Sequence, residues 1–247
     1  MRKVTWLAFS CPHCPLEDKA AVDWMLGQIE DRKPDVLVHL GDGHEADSAS
    51  RWPSEYDWTL ADEFEAHNKL LERLRRAAPK ARKIFCHGNH DSNIQAIGRI
   101  DKKLRSLCDF QKHEPELAHW RQIPYVYDRD RGVFRLGQVG FSHGFEANQS
   151  SDEMQSILLG VPYGLTVTGH THRPAPVTQA MRTRAVPLPF WSANAGTIGD
   201  MNRPYMERKR KHQWGQAIVA GECAITKSPR MSKCWEAETV VYRMYGA

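Results

Sequence analysis

No run in the chain approaches the ~20 consecutive apolar residues that a membrane-spanning helix needs, so no membrane is expected among its partners. Also missing are a Ser/Gly/Pro-rich linker, a low-complexity tract and any internal repeat, and this argues for a single domain over residues 1–247. The start, MRKVTWLAFSCPHCP, is basic and then apolar. It is too short, and too broken by cysteine and proline, for a secretory leader, and it reads as a strand. Cysteine is sparse: the six at 11, 14, 86, 108, 223 and 234 are expected as free thiols in a reducing cytoplasm. Charge of one sign is scarce as well, with 34 basic against 30 acidic residues and a net +4. The exception is Arg208-Lys209-Arg210-Lys211, which is either a solvated run or a contact for a phosphate backbone.

What is present is the balance of an ordinary globular protein, 41% hydrophobic and 26% charged. Lys3–Phe9, Asp35–Leu40 and Lys83–Cys86 are short apolar runs that stop at polar clusters, as buried strands do. Between them, Leu16–Arg32 and Glu55–Ala78 carry apolar residues at helical spacing, and Pro79 ends the second. A further helix is expected over Ile94–Leu107. Short strands then follow at Tyr125–Tyr127, Gly132–Leu136, Gln138–Ser142, Leu165–Thr168, Phe190–Ala193, Gln216–Ala220 and Thr239–Met244. Helices dominate the first half and strands the second, so two sheets packed face to face with helices outside are expected. The last 70 or so residues either form a lid or only complete the second sheet.

Chemistry collects where strands end. Phe9 leads into Cys11 and His13, and Leu40 into Gly41-Asp42. Phe85 leads into Gly88-Asn89-His90-Asp91, Phe141 into His143, and Val167 into Gly169-His170-Thr171-His172. In an open α/β sheet the carboxyl ends of strands face one crevice. A carboxylate can bridge two cations, and imidazoles with an amide oxygen complete an N/O set suited to Mn, Fe or Zn. Two such ions about 3.5–4 Å apart can hold a phosphate ester and activate a shared water.

This ordered set resembles the calcineurin-like metallophosphoesterases, whose pattern is Asp-x-His, Gly-Asp, Gly-Asn-His-Asp/Glu, a His before Gly, and Gly-His-x-His; the match runs through residue 172. The resemblance implies a four-layer αββα sandwich of two mixed sheets flanked by helices. It also implies two divalent or mixed-valence ions. One would be held by position 11, His13, Asp42 and His172, the other by Asn89, His143, His170 and the bridging Asp42. His90 would protonate the leaving oxygen and Asp91 would orient His90. The implied activity is phosphate-ester hydrolysis by a metal-bound hydroxide, with phosphodiesters or nucleic acid as first substrates. The alternatives are a phosphomonoesterase acting on nucleotides or phosphoproteins, and a non-catalytic scaffold with a degenerate metal site. Asp47-Ser48-Ala49-Ser50-Arg51-Trp52, Gly196–Asp200, Tyr205 and Trp214-Gly215 are similar to a phage or prophage-type subgroup. His44 and Arg51, which follow the bridging Asp, are candidates to contact a phosphate oxygen.

Position 11 departs from the pattern, because Cys stands where the family carries Asp. A thiolate ligates at about 2.3 Å and would favour Zn or Fe in the first position. The other reading is a buried filler beside a weak or absent first metal. A thioredoxin-like Cys11-x-x-Cys14 leaves the remaining ligands unexplained, and a structural zinc lacks a second closely spaced pair. A His-Cys-x5-Arg phosphatase loop is excluded, because Ala20 occupies the arginine position. His39 and His87 are expected to be core histidines.

Overall fold

The structure is a computed structural model; it describes residues 2–50, 56–145, 163–180, 189–203, 213–225 and 232–246. Strands β1 (Arg2–Phe9), β2 (Val36–His39), β3 (Arg82–Cys86) and β4 (Trp120–Ile123) run parallel, and β10 (Gly215–Ile225) and β11 (Trp235–Met244) extend them in the order β11-β10-β1-β2-β3-β4. A second sheet joins β5 (Phe134–Leu136), β6 (Val139–Phe141), β7 (Leu165–Thr168), β8 (Ala175–Ala180) and β9 (Phe190–Asn194) in the order β5-β6-β7-β9-β8. Both sheets mix parallel and antiparallel pairs, and with their helices they make the expected α/β architecture.

Side-chain alternation assigns each strand of the first sheet to two cores. Leu7, Phe9, Leu37 and Phe85 face the helices, whereas Trp6, Ala8, Val38 and Ile84 face the second sheet's Phe141, Leu165 and Val167. Strands buried on both faces read as unbroken apolar runs, which is why β1 to β3 were visible in the sequence. Each such side chain removed from water contributes about 1.5–3 kcal/mol.

The helices form where their ends are capped. In α1 (Lys19–Arg32) the Asp18 carboxylate accepts from Ala21 N, and in α2 (Leu60–Ala77) Thr59 and Asp62 form a capping box. Both helices lay their apolar residues on the first sheet, α1 with Val22, Met25 and Ile29, α2 with Phe64, Leu71 and Leu74. Helix α3 (Asn89–Ile100) starts earlier than its apolar spacing suggested. Gly88 precedes it and the Asp91 carboxylate accepts from Gly88 N, so the Asn-His-Asp motif is its first turn. It stops at Asp101, and residues 102–107 form turns. A one-turn helix α4 (Phe110–His113) follows.

One expected strand is absent, and one open question is answered. Tyr125–Tyr127 forms no strand, because after Pro124 the backbone closes on itself through Val126 N to Pro124 O and Asp128 N to Val126 O. The chain beyond His172 does not serve one purpose: β8 and β9 complete the second sheet, while β10 crosses to the first and pairs with β1. The described helices lie on the first sheet, and among the described residues the outer face of the second carries none.

Candidate metal centre

Register brings five strand ends to one edge. Phe9 of β1 is level with His39 of β2, and His39 with Phe85 of β3; in the second sheet Phe141 is level with Val167. The loops that follow are tied by main-chain bonds: Cys11 N to Gly41 O (3.0 Å), His13 N to Asp42 O (3.0 Å) and Gly169 N to His143 O (2.9 Å). Five of the seven expected ligands are left-handed, with φ of 54° at Cys11, 52° at His13, 51° at Asp42, 64° at His170 and 57° at His172. That conformation costs a side-chain-bearing residue about 1–2 kcal/mol and concentrates where function requires it. Two glycines let the loops approach. Gly41 has φ +96°, and a Cβ on Gly88 would lie 2.1 Å from Asp42 Oδ1.

The seven side chains converge in two groups that share Asp42. In the first, His13 Nε2 faces His172 Nε2 at 3.0 Å, with Cys11 Sγ within 4.8 Å of ligand atoms on both rings. In the second, His143 Nε2 lies 3.1 Å from Asn89 Oδ1, 3.1 Å from His170 Nδ1 and 3.2 Å from Asp42 Oδ2. The same Asp42 oxygen is 3.7 Å from His13 Nε2, while Oδ1 accepts from His90 N. Cys11 also groups with Asp42 and His143, so its sulfur borders both halves.

The donor set fits cations. His143 Nδ1 is 2.6 Å from the Leu40 carbonyl, which can only accept, so that nitrogen carries a proton and Nε2 is turned to the centre. There it meets the Asn89 and Asp42 oxygens, acceptors that oppose one another unless a positive charge lies among them. The ionisation tendencies agree. Burial opposes charge on His143, yet the Asp42 carboxylate outweighs it and raises the pKa, a sign of how strongly the centre draws positive charge. Burial lowers His13 and His172 well below the usual histidine range and brings His170 to about 4, leaving their lone pairs free to bind. Burial, aided by Asp42, pushes the Cys11 thiol well up, so only a neighbouring dication would make it a thiolate. Ser10 Oγ lies 2.9 Å from its sulfur.

His90 is half-buried beside the first group, its ring 4.7 Å from that of His13. Its Nδ1 bonds the Glu45 carbonyl, and although burial lowers its pKa, Asp42 and Glu45 raise it further. Asp91 does not orient this ring. Its carboxylate accepts from Asp42 N (2.9 Å), Gly43 N (3.0 Å) and Gly88 N (2.7 Å), so it holds the loop that carries Asp42. His44 is not a phosphate contact: it is fully buried between Asp91 and Glu114. Burial would lower its pKa, but the two carboxylates hold it up at about 10. Arg51, Trp52, Tyr205 and the 208–211 basic run lie outside the described residues. His39 and His87 are core histidines, His39 accepting from Gly41 N and His87 meeting Gln122.

Sequence reasoning missed Glu45 and Arg203. Glu45 Oε2 lies 2.9 Å from His13 Nδ1, an ion-pair distance, and 2.8 Å from Arg203 Nη1. Glu45 follows Asp42 closely enough to have been suspected, whereas Arg203 lies between Asp200 and Tyr205 with nothing in the sequence to join it to Glu45.

A nitrogen, oxygen and sulfur cluster at the carboxyl edge of two packed sheets makes this an α/β protein with a candidate metal centre. The chain belongs to the calcineurin-like phosphoesterase family, whose profile matches residues 5–193. Members of that family bind divalent metals. Among solved structures, the Escherichia coli phosphoesterase Yfce aligns with TM-score 0.43 at 16% identity, over 89% of this chain and 88% of that one. Chaetomium thermophilum Vps29 gives 0.42 at 12%, over 99% of each, and the Pseudomonas putida nuclease MPE gives 0.39 at 11%, over 87% and 82%. A comparison with curated proteins finds no match.

Proposed function

We propose that the protein hydrolyses phosphate esters, phosphodiesters and nucleic acid foremost, with two divalent ions held by the seven converging side chains. The observation that carries this reading is the position of Asp42 Oδ2, 3.2 Å from His143 Nε2 on one side and 3.7 Å from His13 Nε2 on the other. Cys11, His13 and His172 would hold one ion, Asn89, His143 and His170 the other, with Asp42 between them. When bound, such a pair supplies Lewis-acid charge and water of lowered pKa.

The chain's own residues do the rest. Asp42 is held by Asp91 through its backbone and by His90 N through Oδ1. His90, anchored through Nδ1, keeps Nε2 to give a proton to the departing alcohol, and its raised pKa suits an acid at neutral pH. Support for the phage-type subgroup comes from its closing residues: Thr197 Oγ1 donates to Cys11 O (2.7 Å), and Trp214 packs on His172 with ring centroids 4.3 Å apart. Six free cysteines suit a reducing compartment, the cytoplasm. No helix among the described residues is long and apolar enough to cross a membrane.

Protein reconstituted with Mn, Fe or Zn should turn over a chromogenic phosphodiester faster than the matching monoester, and should cut single-stranded DNA. Preference for the monoester would move the assignment to a phosphomonoesterase. Two bound ions with no turnover on any ester would make the protein a binding module.

A further inference from the structure

Behind the centre lies a second group of titratable side chains that the proposed reaction does not use. His44, His67, Asp91 and Glu114 are all fully buried, and they connect in a chain across four segments: the loop after β2, α2, α3 and the turn after α4. His67, on α2, places Nδ1 2.5 Å from Glu114 Oε1. The same oxygen is 3.0 Å from His44 Nε2, and His44 Nδ1 is 2.9 Å from Asp91 Oδ1. Glu114 is itself fixed by its backbone, where its N–H donates to Phe110 O (2.8 Å) and its carbonyl accepts from Leu117 N (3.0 Å).

The cluster of His44, His67 and Glu114 has the composition of a metal site, so that use was weighed first. Around a tetrahedral zinc with bonds of about 2.0–2.1 Å, neighbouring ligand atoms stand roughly 3.3 Å apart. The 2.5 Å between His67 Nδ1 and Glu114 Oε1 is too short for two ligands of one ion and is that of a shared proton. Four backbone N–H groups, those of Asp42, Gly43, His44 and Gly88, already donate to Asp91, so it is ionised and His44 Nδ1 donates to it.

We infer that His44 and Glu114 are positioning residues for the Asp42 carboxylate. Glu114 fixes the His44 ring, His44 fixes the Asp91 carboxylate, and Asp91 grips the Asp42 and Gly43 amides. The inference rests on the reading of Asp42 as the shared metal ligand. It adds a tether from that ligand back to α2 and the turn after α4, elements that touch neither ion. Outer partners of this kind typically alter metal affinity by about 10–100-fold when removed.

The test compares His44→Gln, Glu114→Gln and, as control, Phe110→Leu, whose ring packs 5.0 Å from that of His44 without joining the network. In metal-free protein, Asp42 and Gly43 amide protons should exchange faster in Glu114→Gln than in wild type or the control. In a manganese titration followed by EPR, wild type should fill two coupled sites. Both network variants should bind about 10–100-fold more weakly and lose the coupled signal, while Phe110→Leu keeps it. If His44→Gln fails to fold, Glu114→Gln decides alone. Folded network variants with wild-type exchange and wild-type manganese affinity would overturn the inference. So would a third manganese per chain that disappears in Glu114→Gln, which would make the cluster a metal site. Failure of wild type itself to bind two ions would count against the proposed function instead, and the exchange measurement would still judge the tether.

Discussion

Replacing Gly88 with alanine isolates the claim that Asp42 must sit within a narrow tolerance. The backbone at Gly88 is extended (φ −99°, ψ −175°), so alanine meets no conformational penalty there. The obstacle is proximity, since the new Cβ would fall 2.1 Å from Asp42 Oδ1, 2.5 Å from Asp42 N and 2.8 Å from Asp42 Cγ. A carbon and an oxygen rest about 3.3 Å apart, so the carboxylate must retreat by about 1 Å. Overpacking of this kind costs about 1–3 kcal/mol of stability, and a 1 Å misplacement of reacting groups costs about 100-fold in rate. We expect Gly88→Ala to fold with an unchanged far-UV spectrum, to retain fewer than two metal ions per chain by elemental analysis, and to lose about 100-fold in phosphodiester turnover. Gly27→Ala is the matched control. It lies inside α1 with nothing within 4 Å of its added methyl, and should stabilise by about 0.5–1 kcal/mol with full activity. Full metal content and turnover in Gly88→Ala would show that Asp42 is not the shared ligand.

Asp42→Asn keeps the shape but removes the charge near both groups, and should abolish turnover; near-normal activity in a metal-replete assay would refute the bridging role. Cys11→Asp should raise Mn- or Mg-supported activity relative to Zn or Fe, and an unchanged order of metals would count against thiolate ligation. Acid should destabilise the metal-free protein early. His13, His39, His87 and His172 are held below the ordinary value, chiefly by burial, and His170 at about 4, so below about pH 6.5 the unfolded chain takes up protons that the native one refuses. Each such group removes up to about 1.4 kcal/mol per pH unit, whereas the raised His44, His90 and His143 are protonated in both states there. Urea midpoints measured in chelator should fall steadily from pH 6.5 to 4.5; a flat profile would contradict the buried neutral state of those rings.

The strands and the polar residues that gather at their ends were legible for the same physical reason. Strands buried on both faces show as apolar runs, and the polar residues at their ends have no structural use that the runs themselves explain. Partnerships were not legible. Asp91 follows His90 in the chain, yet on the first turn of α3 its carboxylate turns to Gly88 N and the Asp42 loop, a choice that depends on two loops meeting in space. His44 reads as a loop histidine until Glu114, from a distant turn, closes over it. Helix limits moved toward their caps: α1 begins behind Asp18 and α3 behind Gly88, because a capped end outweighs the outermost apolar residue of a periodic pattern.

The pairing of β10 with β1 has a consequence for synthesis. Seven residue pairs join the strands, from Arg2 with Ile225 to Ala8 with Val219. During synthesis β1 therefore keeps one flank of open amides and carbonyls until the roughly two hundred residues that separate it from β10 have been made, and an exposed strand flank is an invitation to foreign pairing. A nascent chain stalled before β10 should accordingly be the species that chaperones hold and that aggregates first.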